Sequence, residues 1–374
     1  MKVIYCDYNA TTPVDRRVAS AMWPYVVEQF GNASSLHQPG RIAREGIDKA
    51  RQQVAGFLRC HPSEVIFTSG GSESNNQAIK GSASLLRSKG NHLIASQIEH
   101  PSVMAPLQYL QKQGFEVTFL PVDRYGRVDP NEVQKAITPK TILVSVMHAN
   151  NETGVIQPIA AIARITREKG VLFHVDGAQA AGKIPVALAD LGVDLYSAAG
   201  HKFHAPKGIG ALFVRQGIRI DPLIHGSEHE NGLRAGTENV AGIVGLGAAA
   251  EQAACEADSR QNQFQRLRDR LQHGLEKAFG DRIQINGHPV ERLPNTLNVS
   301  FKGFIGAAIL EKIPEIAAST GSACRGQCKD PSPVLAAMGV PRETAMGALR
   351  FSLGKENTPG DVDRIVDLLK SRLR

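Results

Sequence analysis

Val171-Leu-Phe-His-Val-Asp176-Gly-Ala-Gln179, followed by Asp194-Leu-Tyr-Ser-Ala-Ala199 and then Gly200-His201-Lys202, is the stretch on which the reading of this chain turns. The first run starts after Gly170 and is short and mostly apolar, the pattern of a strand buried on both faces of a parallel sheet. It ends on Asp176, and the second run ends on Lys202. In open α/β sheets ligands collect where strands run out at their carboxyl ends.

Working outward, the same strand-loop-helix rhythm recurs. It predicts strands at 65–68, 92–96, 116–120, 141–147, 171–175, 194–198 and 209–214. Helices are expected at 41–58, 73–88, 101–113, 130–137 and 158–169, after one capped by Thr12 or Asp15 and running to Phe30. Such alternation defines an α/β protein with a mainly parallel sheet covered by helices on both faces. After Gly236 the texture changes to a long helical tract, about 239–279, and then short strands at 283–286, 296–301, 316–319 and 348–353. Thr358-Pro359-x-Asp361 places a cap, a first-turn proline and an acidic residue in the order of a helix start. The expected division is a large domain over 15–256, and a smaller α+β domain formed by 1–14 with 257–374.

The 374 residues suffice for a large core, and 42% hydrophobic with 21% charged residues is ordinary for a globular enzyme. The formal charge of +7 comes from dispersed basic residues, so no direct nucleic-acid binding is expected. The densest run, Arg266-Leu-Arg-Asp-Arg270, reads as a solvated helix face. Five cysteines, an odd number, do not make a secreted disulfide framework. Met1-Lys-Val-Ile-Tyr-Cys6 enters a strand directly, and the charge-free run Asn239–Ala250 is too short to span a bilayer. The expected setting is therefore cytoplasmic and reducing, with no membrane partner.

Three further strand exits carry polar groups. Thr68-Ser-Gly-Gly71-Ser72-Glu-Ser-Asn75 opens a helix with small residues, as an anion cradle does, although many such turns are only tight turns. Glu99-His100-Pro-Ser102 offers an imidazole suited to stacking and proton exchange, or simply a structural histidine. His148-Ala-Asn-Asn151 is the third. An anion cradle, a flat ring, a carboxylate and an amine converge on one aromatic anionic ligand, pyridoxal phosphate (PLP). Asp176 would sit on its pyridine nitrogen, Lys202 would form its Schiff base, and Gln179 would donate to its phenolate oxygen. A turn-capping Asp or a surface Lys explains either residue alone; the co-occurrence carries the inference.

The residues also resemble a family, the NifS/IscS-like cysteine desulfurases of the class V aminotransferase group. The matching segments are Asp7-Tyr-Asn-Ala-Thr-Thr-Pro13, Gly31-Asn-Ala-Ser-Ser35, Phe67-Thr-Ser-Gly70, Glu99-His100, Asn150-Asn-Glu152, Val175-Asp-Gly-Ala-Gln179, Gly200-His-Lys202, Arg234-Ala-Gly-Thr-Glu-Asn239, Ser319-Thr-Gly-Ser-Ala-Cys324 and Leu349-Arg-Phe-Ser-Leu-Gly354. The resemblance implies the fold-type I architecture of PLP-dependent enzymes and a homodimer. It implies PLP on Lys202, with Asp176, Gln179 and His100 around the ring. Gly71, Ser72 and His201 would hold the phosphate, with Thr237 supplied by the second copy. Asn151 and Arg350 would hold the carboxylate of L-cysteine, and Cys324 would take its sulfur as a persulfide, leaving L-alanine. The sulfur would then pass to an acceptor or scaffold protein, for instance in iron–sulfur cluster assembly or tRNA thiolation.

Chemistry supports Cys324 separately. Its surroundings, Ser319 to Pro333, are small and polar, and Arg325 and Lys329 favour the thiolate. Cys6 and Cys255, by contrast, are expected to be buried small hydrophobes. No metal site is expected: the Cys324–Cys328 spacing is poor for zinc without further ligands nearby. Three departures from the family stand out: Gly71-Ser72 where Ala-Thr is usual, Ala199 where many members have serine, and the additional Cys328. Alternatives are a selenocysteine lyase or C–S lyase of the same fold, an aminotransferase, and a non-catalytic partner subunit.

Overall fold

The computed structural model describes residues 3–320 and 330–373. Twelve strands lie among them. They are β1 (Ile4–Tyr5), β2 (Val65–Thr68), β3 (His92–Ser96), β4 (Glu116–Leu120), β5 (Thr141–Ser145), β6 (Leu172–Asp176), β7 (Leu195–Ala199), β8 (Gly210–Val214), β9 (Ile283–Asn286), β10 (Thr296–Phe301), β11 (Ile316–Ala317) and β12 (Ala348–Ser352). Strands β2 to β8 form one sheet in the order β2-β8-β7-β6-β5-β3-β4. Its pairs are parallel except that β8 runs antiparallel to both β2 and β7. The mainly parallel α/β architecture is therefore present, and every sequence-predicted strand of the large sheet exists within a residue or two.

Burial explains these strands. β2, β3, β5, β7 and β8 are buried along their whole length, which is why they read as apolar runs rather than alternating patterns. β4, at the edge, is more exposed and carries Glu116 and Thr118. The chain moves outward from β3 to β4 and then back across β5, β6 and β7. The β3/β5 boundary is thus a switch point, and the exits of these strands open a crevice there.

Helix Gln38–Leu58 packs its Ala43, Ile47, Ala50 and Val54 side on the helix Val240–Cys255. The Gly/Ala-rich composition of the second helix follows from how closely the two approach. A Cβ on Gly247 would lie 2.6 Å from Ala50 Cα. The predicted 239–279 helix is two helices, Val240–Cys255 and Ala257–Phe279, broken at Glu256. Cys255 at that break is exposed, contrary to expectation, whereas Cys6 is buried and its thiol is pushed up to about 12, chiefly by burial and then by Asp361 and Asp7.

A second core gathers around the antiparallel sheet β12-β10-β9. Leu267, Leu271 and Leu275 of Ala257–Phe279 pack there with Val362, Ile365 and Leu369 of the helix Pro359–Arg372. The second helix starts as predicted: the Thr358 hydroxyl accepts from Asp361 N–H while the Asp361 carboxylate accepts from Thr358, a reciprocal cap contributing about 1 kcal/mol. The Arg266–Arg270 run is not wholly a solvated face. Arg268 is buried and donates to the Leu293 carbonyl at 3.0 Å. The N-terminal segment joins this part too, as β1 pairs with β11 and Asp7 bridges to Ser352, the last residue of β12.

Candidate active site

The strand exits face one cavity of about 550 Å³, within the size range of cofactor sites. It is lined by Gly71, Ser72, His100, Asn151, Asp176, Gln179, His201, Lys202 and Arg350, nine of the residues singled out from the sequence. Thr237 is exposed and stands outside this cavity; its segment is tied to the cradle by an Arg234–Glu73 ion pair at 3.0 Å. Cys324 and Cys328 lie outside the described residues.

The cradle begins at Gly70, whose φ of 148° and ψ of −179° is a region essentially reserved for glycine. Its backbone also lies so close to β8 that a Cβ on Gly210 would meet Gly70 Cα at 2.7 Å. The turn therefore lifts the start of the helix Gly71–Asn76, whose first N–H groups lack helical partners, towards the cavity. At the departure from the family pattern, a Cβ on Gly71 would lie 3.2 Å from the Ala199 Cβ, so the two small residues face one another.

Asp176 ends β6 and is 5% exposed. Its Oδ1 accepts from Ala178 N–H at 3.0 Å and its Oδ2 from Asn75 Nδ2 at 2.9 Å. The same Asn75 amide donates to Ser102 Oγ at 2.8 Å, and Ser102 Oγ lies 2.8 Å from His100 Nδ1. His100 Nδ1 also accepts from Ser102 N–H at 3.1 Å, as the N-cap of the helix Pro101–Lys112. The ring's proton consequently sits on Nε2. Burial lowers the pKa of His100, with Lys202 adding to the shift and Asp176 opposing it, so the ring is neutral at neutral pH. Lys202 follows β7 in a single 3₁₀ turn, and its Nζ donates to the Asn9 and Ala10 carbonyls at 2.7 and 2.9 Å. His201 is pushed down to about 4 by burial and then by Lys202, Lys207, Lys183 and His100, and is a neutral partner in this basic corner.

The opposite wall comes from distant parts of the chain. Arg350, on β12 and 2% exposed, donates to Asp7 Oδ1 at 2.6 Å and to the Asn151 carbonyl at 2.9 Å. Asn9 is almost fully buried and ties the walls together: its Nδ2 donates to the Asn151 carbonyl at 3.1 Å and to Thr296 Oγ1 at 2.9 Å, and its N–H to Ser352 Oγ at 2.9 Å.

Sequence reasoning gave no role to Asp7, Asn9, Asn75, Glu99 or Lys183. Asp7 and Asn9 lay within a quoted motif, but nothing local told that they would meet β12. The buried Glu99 accepts from Met147 N–H at 3.0 Å and from the Ser96 hydroxyl. Burial pushes it up to about 8, with Asp176 adding and the two hydrogen bonds opposing, so it is a neutral acid beside the cavity at pH 7. Among the described residues, no cluster of His, Cys, Asp and Glu is placed to hold a metal ion, and no helix is long and apolar enough to cross a membrane.

The donor set fits pyridoxal phosphate. A buried carboxylate, an amine on the next strand exit, a neutral imidazole and a glycine-shaped cradle at a helix start occupy one cavity, and a guanidinium faces them. Comparison with known proteins agrees. The profile of the family Aminotransferase class-V matches residues 4–365. A protein from Methanosarcina thermophila, "Cysteine desulfurase IscS", is 48% identical over 370 residues, covering 98% of this chain and 91% of that relative. Among solved structures, a "NifS-like protein" superposes with a TM-score of 0.93 at 40% identity, covering 99% of both chains. "SspA in complex with cysteine" superposes with a TM-score of 0.84 at 36% identity, covering 95% of this chain and 99% of the other. The chain is thus a class V aminotransferase-fold protein, of a family that depends on PLP. Within that class it belongs to the NifS/IscS-like cysteine desulfurases.

Proposed function

We propose that this chain is a PLP-dependent cysteine desulfurase that converts L-cysteine to L-alanine and passes the sulfur to Cys324 as a persulfide. The observation that carries the reading is the single cavity shared by Lys202, Asp176, the Gly70–Ser72 cradle and Arg350. Bound there, the cofactor would supply an electron sink for bonds breaking at the substrate's Cα.

The chain's own residues supply the rest. Asp176, already oriented by Asn75 and Ala178, holds the proton on the pyridine nitrogen. Gly71, Ser72 and His201 hold the phosphate, with Thr237 of a second copy completing that end of a homodimer. His100 would face the cofactor and present Nε2 for proton exchange, because Nδ1 is committed to Ser102. Lys202 Nζ would hold the cofactor and would move the proton at the substrate Cα. The planar fork of Arg350 grips the substrate carboxylate, with Asn151 beside it. Asp7 fixes the guanidinium before substrate arrives.

Support for Cys324 comes from its sequence context and from the two described flanks of its segment. Ser319 exchanges backbone hydrogen bonds with Arg350, and Ser332 donates to Glu152, which lines the cavity. The persulfide is then handed to an acceptor or scaffold protein in a reducing cytoplasm. We assign 15–256 as the cofactor-binding domain, and 1–14 with 257–374 as the small domain bearing the cysteine segment.

Alanine and sulfide formation from L-cysteine, measured with a reductant, tests the reading. Wild type is expected to be active, and both Lys202→Ala and Cys324→Ser inactive. Alanine formation that survives in Cys324→Ser would move the protein to the lyase class. Keto acid in place of alanine would make it an aminotransferase.

A further inference from the structure

Lys183 does not line the cavity, yet it is buried within one side chain of it, where an ammonium has little water to lean on. It follows Gln179 in the turn that leaves β6, with Lys183 N–H donating to the Ala180 carbonyl. Its Nζ donates to Gln179 Oε1 and, at 2.8 Å, to Asn9 Oδ1. The other edge of the Gln179 amide faces the Asn9 main-chain carbonyl, to which Nε2 donates at 3.0 Å. The same carbonyl accepts from Lys202 Nζ.

This fixes which way the amide points. A glutamine side chain is nearly symmetric in shape, and only its partners decide where oxygen and nitrogen lie. Turned over, Gln179 would set its carbonyl oxygen against the Asn9 carbonyl, two acceptors in contact. It would also turn its NH₂ towards the amine that now donates to it. Burial, then Lys202 and Arg350, push the Lys183 pKa well down, but the Asn9 carbonyl opposes the flip whether Lys183 is charged or neutral. One Nε2 hydrogen goes to Asn9, and the second is the donor available to a ligand beside Lys202.

We propose that Lys183 is a positioning residue that locks the Gln179 amide with its NH₂ towards the cavity, so that it donates to the anionic ring oxygen of the cofactor. The inference rests on the PLP reading of the cavity. Without Lys183 only the Asn9 carbonyl opposes the flip, and the amide presents an oxygen to an anion for a larger part of the time. The ring oxygen then loses its donor, and the electronic form that this contact stabilises is depleted.

The test compares wild type, Lys183→Met, Lys183→Gln, Gln179→Ala and the double variant Lys183→Met/Gln179→Ala, each loaded with PLP at one pH. The readout is the visible absorption band of the bound cofactor. Lys183→Met is expected to shift intensity from the long-wavelength band to a shorter-wavelength one, in the same direction as Gln179→Ala. It should also weaken PLP retention about tenfold, the effect of one hydrogen bond. Lys183→Gln keeps an N–H for the Gln179 carbonyl and is expected to restore the wild-type band. In the double variant Lys183→Met should add nothing to Gln179→Ala, because coupled residues are non-additive. A wild-type band in Lys183→Met, or shifts that sum in the double variant, would overturn the proposal. Should Lys183→Met not fold, Lys183→Ala takes its place in the same cycle. Absence in wild type of any band that depends on Lys202 would overturn the cofactor reading and this inference with it.

Discussion

The cavity's two walls are built differently. One is made of strand exits: the Gly70–Ser72 cradle after β2, His100 after β3, Asp176 at the end of β6 and Lys202 after β7. Each residue is positioned by the strand it ends or follows, and Asp176 and His100 also by a hydrogen bond two residues away, to Ala178 and Ser102. The other wall is Asn9, Asn151 and Arg350, drawn from the start, middle and end of the chain and held by long-range contacts, Arg350 to Asp7 behind it and Asn9 to Thr296. In the proposed function the strand-exit wall would serve a cofactor that stays bound, and the composite wall would face the substrate, which must enter and leave. The composite wall is anchored on the β12-β10-β9 sheet, whereas the strand-exit wall is anchored on the large one.

The largest effect should come from the composite wall. Lysine at 350 keeps the charge but cannot span Asp7 and the Asn151 carbonyl as the guanidinium does. Arg350→Lys is expected to cut kcat/KM for L-cysteine about a hundredfold, the loss of a charge-assisted hydrogen bond. The change should fall mainly in KM, with the PLP band unmoved. A moved band with unchanged KM would show that the two walls do not divide the work this way.

The acid response of the strand-exit region is expected in stability rather than in rate. His148 and His174 are buried, and burial pushes each down to about 4. Their folded pKa values lie below the unfolded value, so the unfolded chain takes up protons first. Stability should be level above about pH 6.5 and fall as pH drops towards 4, by up to ~3 kcal/mol per histidine. Urea unfolding at a series of pH values checks this; a profile flat between pH 7 and 5 contradicts it.

Asn75→Ala removes the link joining Asp176 to Ser102 and so to His100. It should weaken PLP binding about tenfold, the effect of one buried hydrogen bond, while KM for L-cysteine changes little. Equal losses in both would blur the boundary between the walls.

The smallest effect is expected at Glu99, which burial keeps protonated up to about pH 8. Its folded pKa lies above the unfolded one, so its contribution is full at low pH and is lost as pH rises through 8. Glu99→Gln mimics the neutral acid without the proton uptake and should flatten the fall in stability between about pH 4.5 and 8, with little change at low pH. A large loss at pH 7 would show that the carboxylate form matters.

How much of this was legible follows the same division. Asp176, His100 and Lys202 were readable because a buried parallel strand announces itself as an apolar run, and the polar residue ending it is conspicuous. Asn9 and Asn75 were not: a polar residue in a loop or a helix start looks the same whether it meets solvent or a buried carboxylate. Lys183 gives no local sign of burial, and its partner Asn9 lies far away in the chain. Arg350 was found only through the family resemblance, since β12 gives no local sign of facing the large sheet. The break at Glu256 was missed because both flanking tracts are good helix formers, and Cys255 was misplaced with it.

The central claim, sulfur transfer from L-cysteine to Cys324, is tested most directly by mass spectrometry of the Cys324-containing peptide after brief exposure to L-cysteine without reductant. The account predicts one added sulfur atom on Cys324 in the wild type, removable by reductant, and none in Lys202→Ala. Alanine produced with all its sulfur released as free sulfide, and Cys324 unmodified, would contradict it.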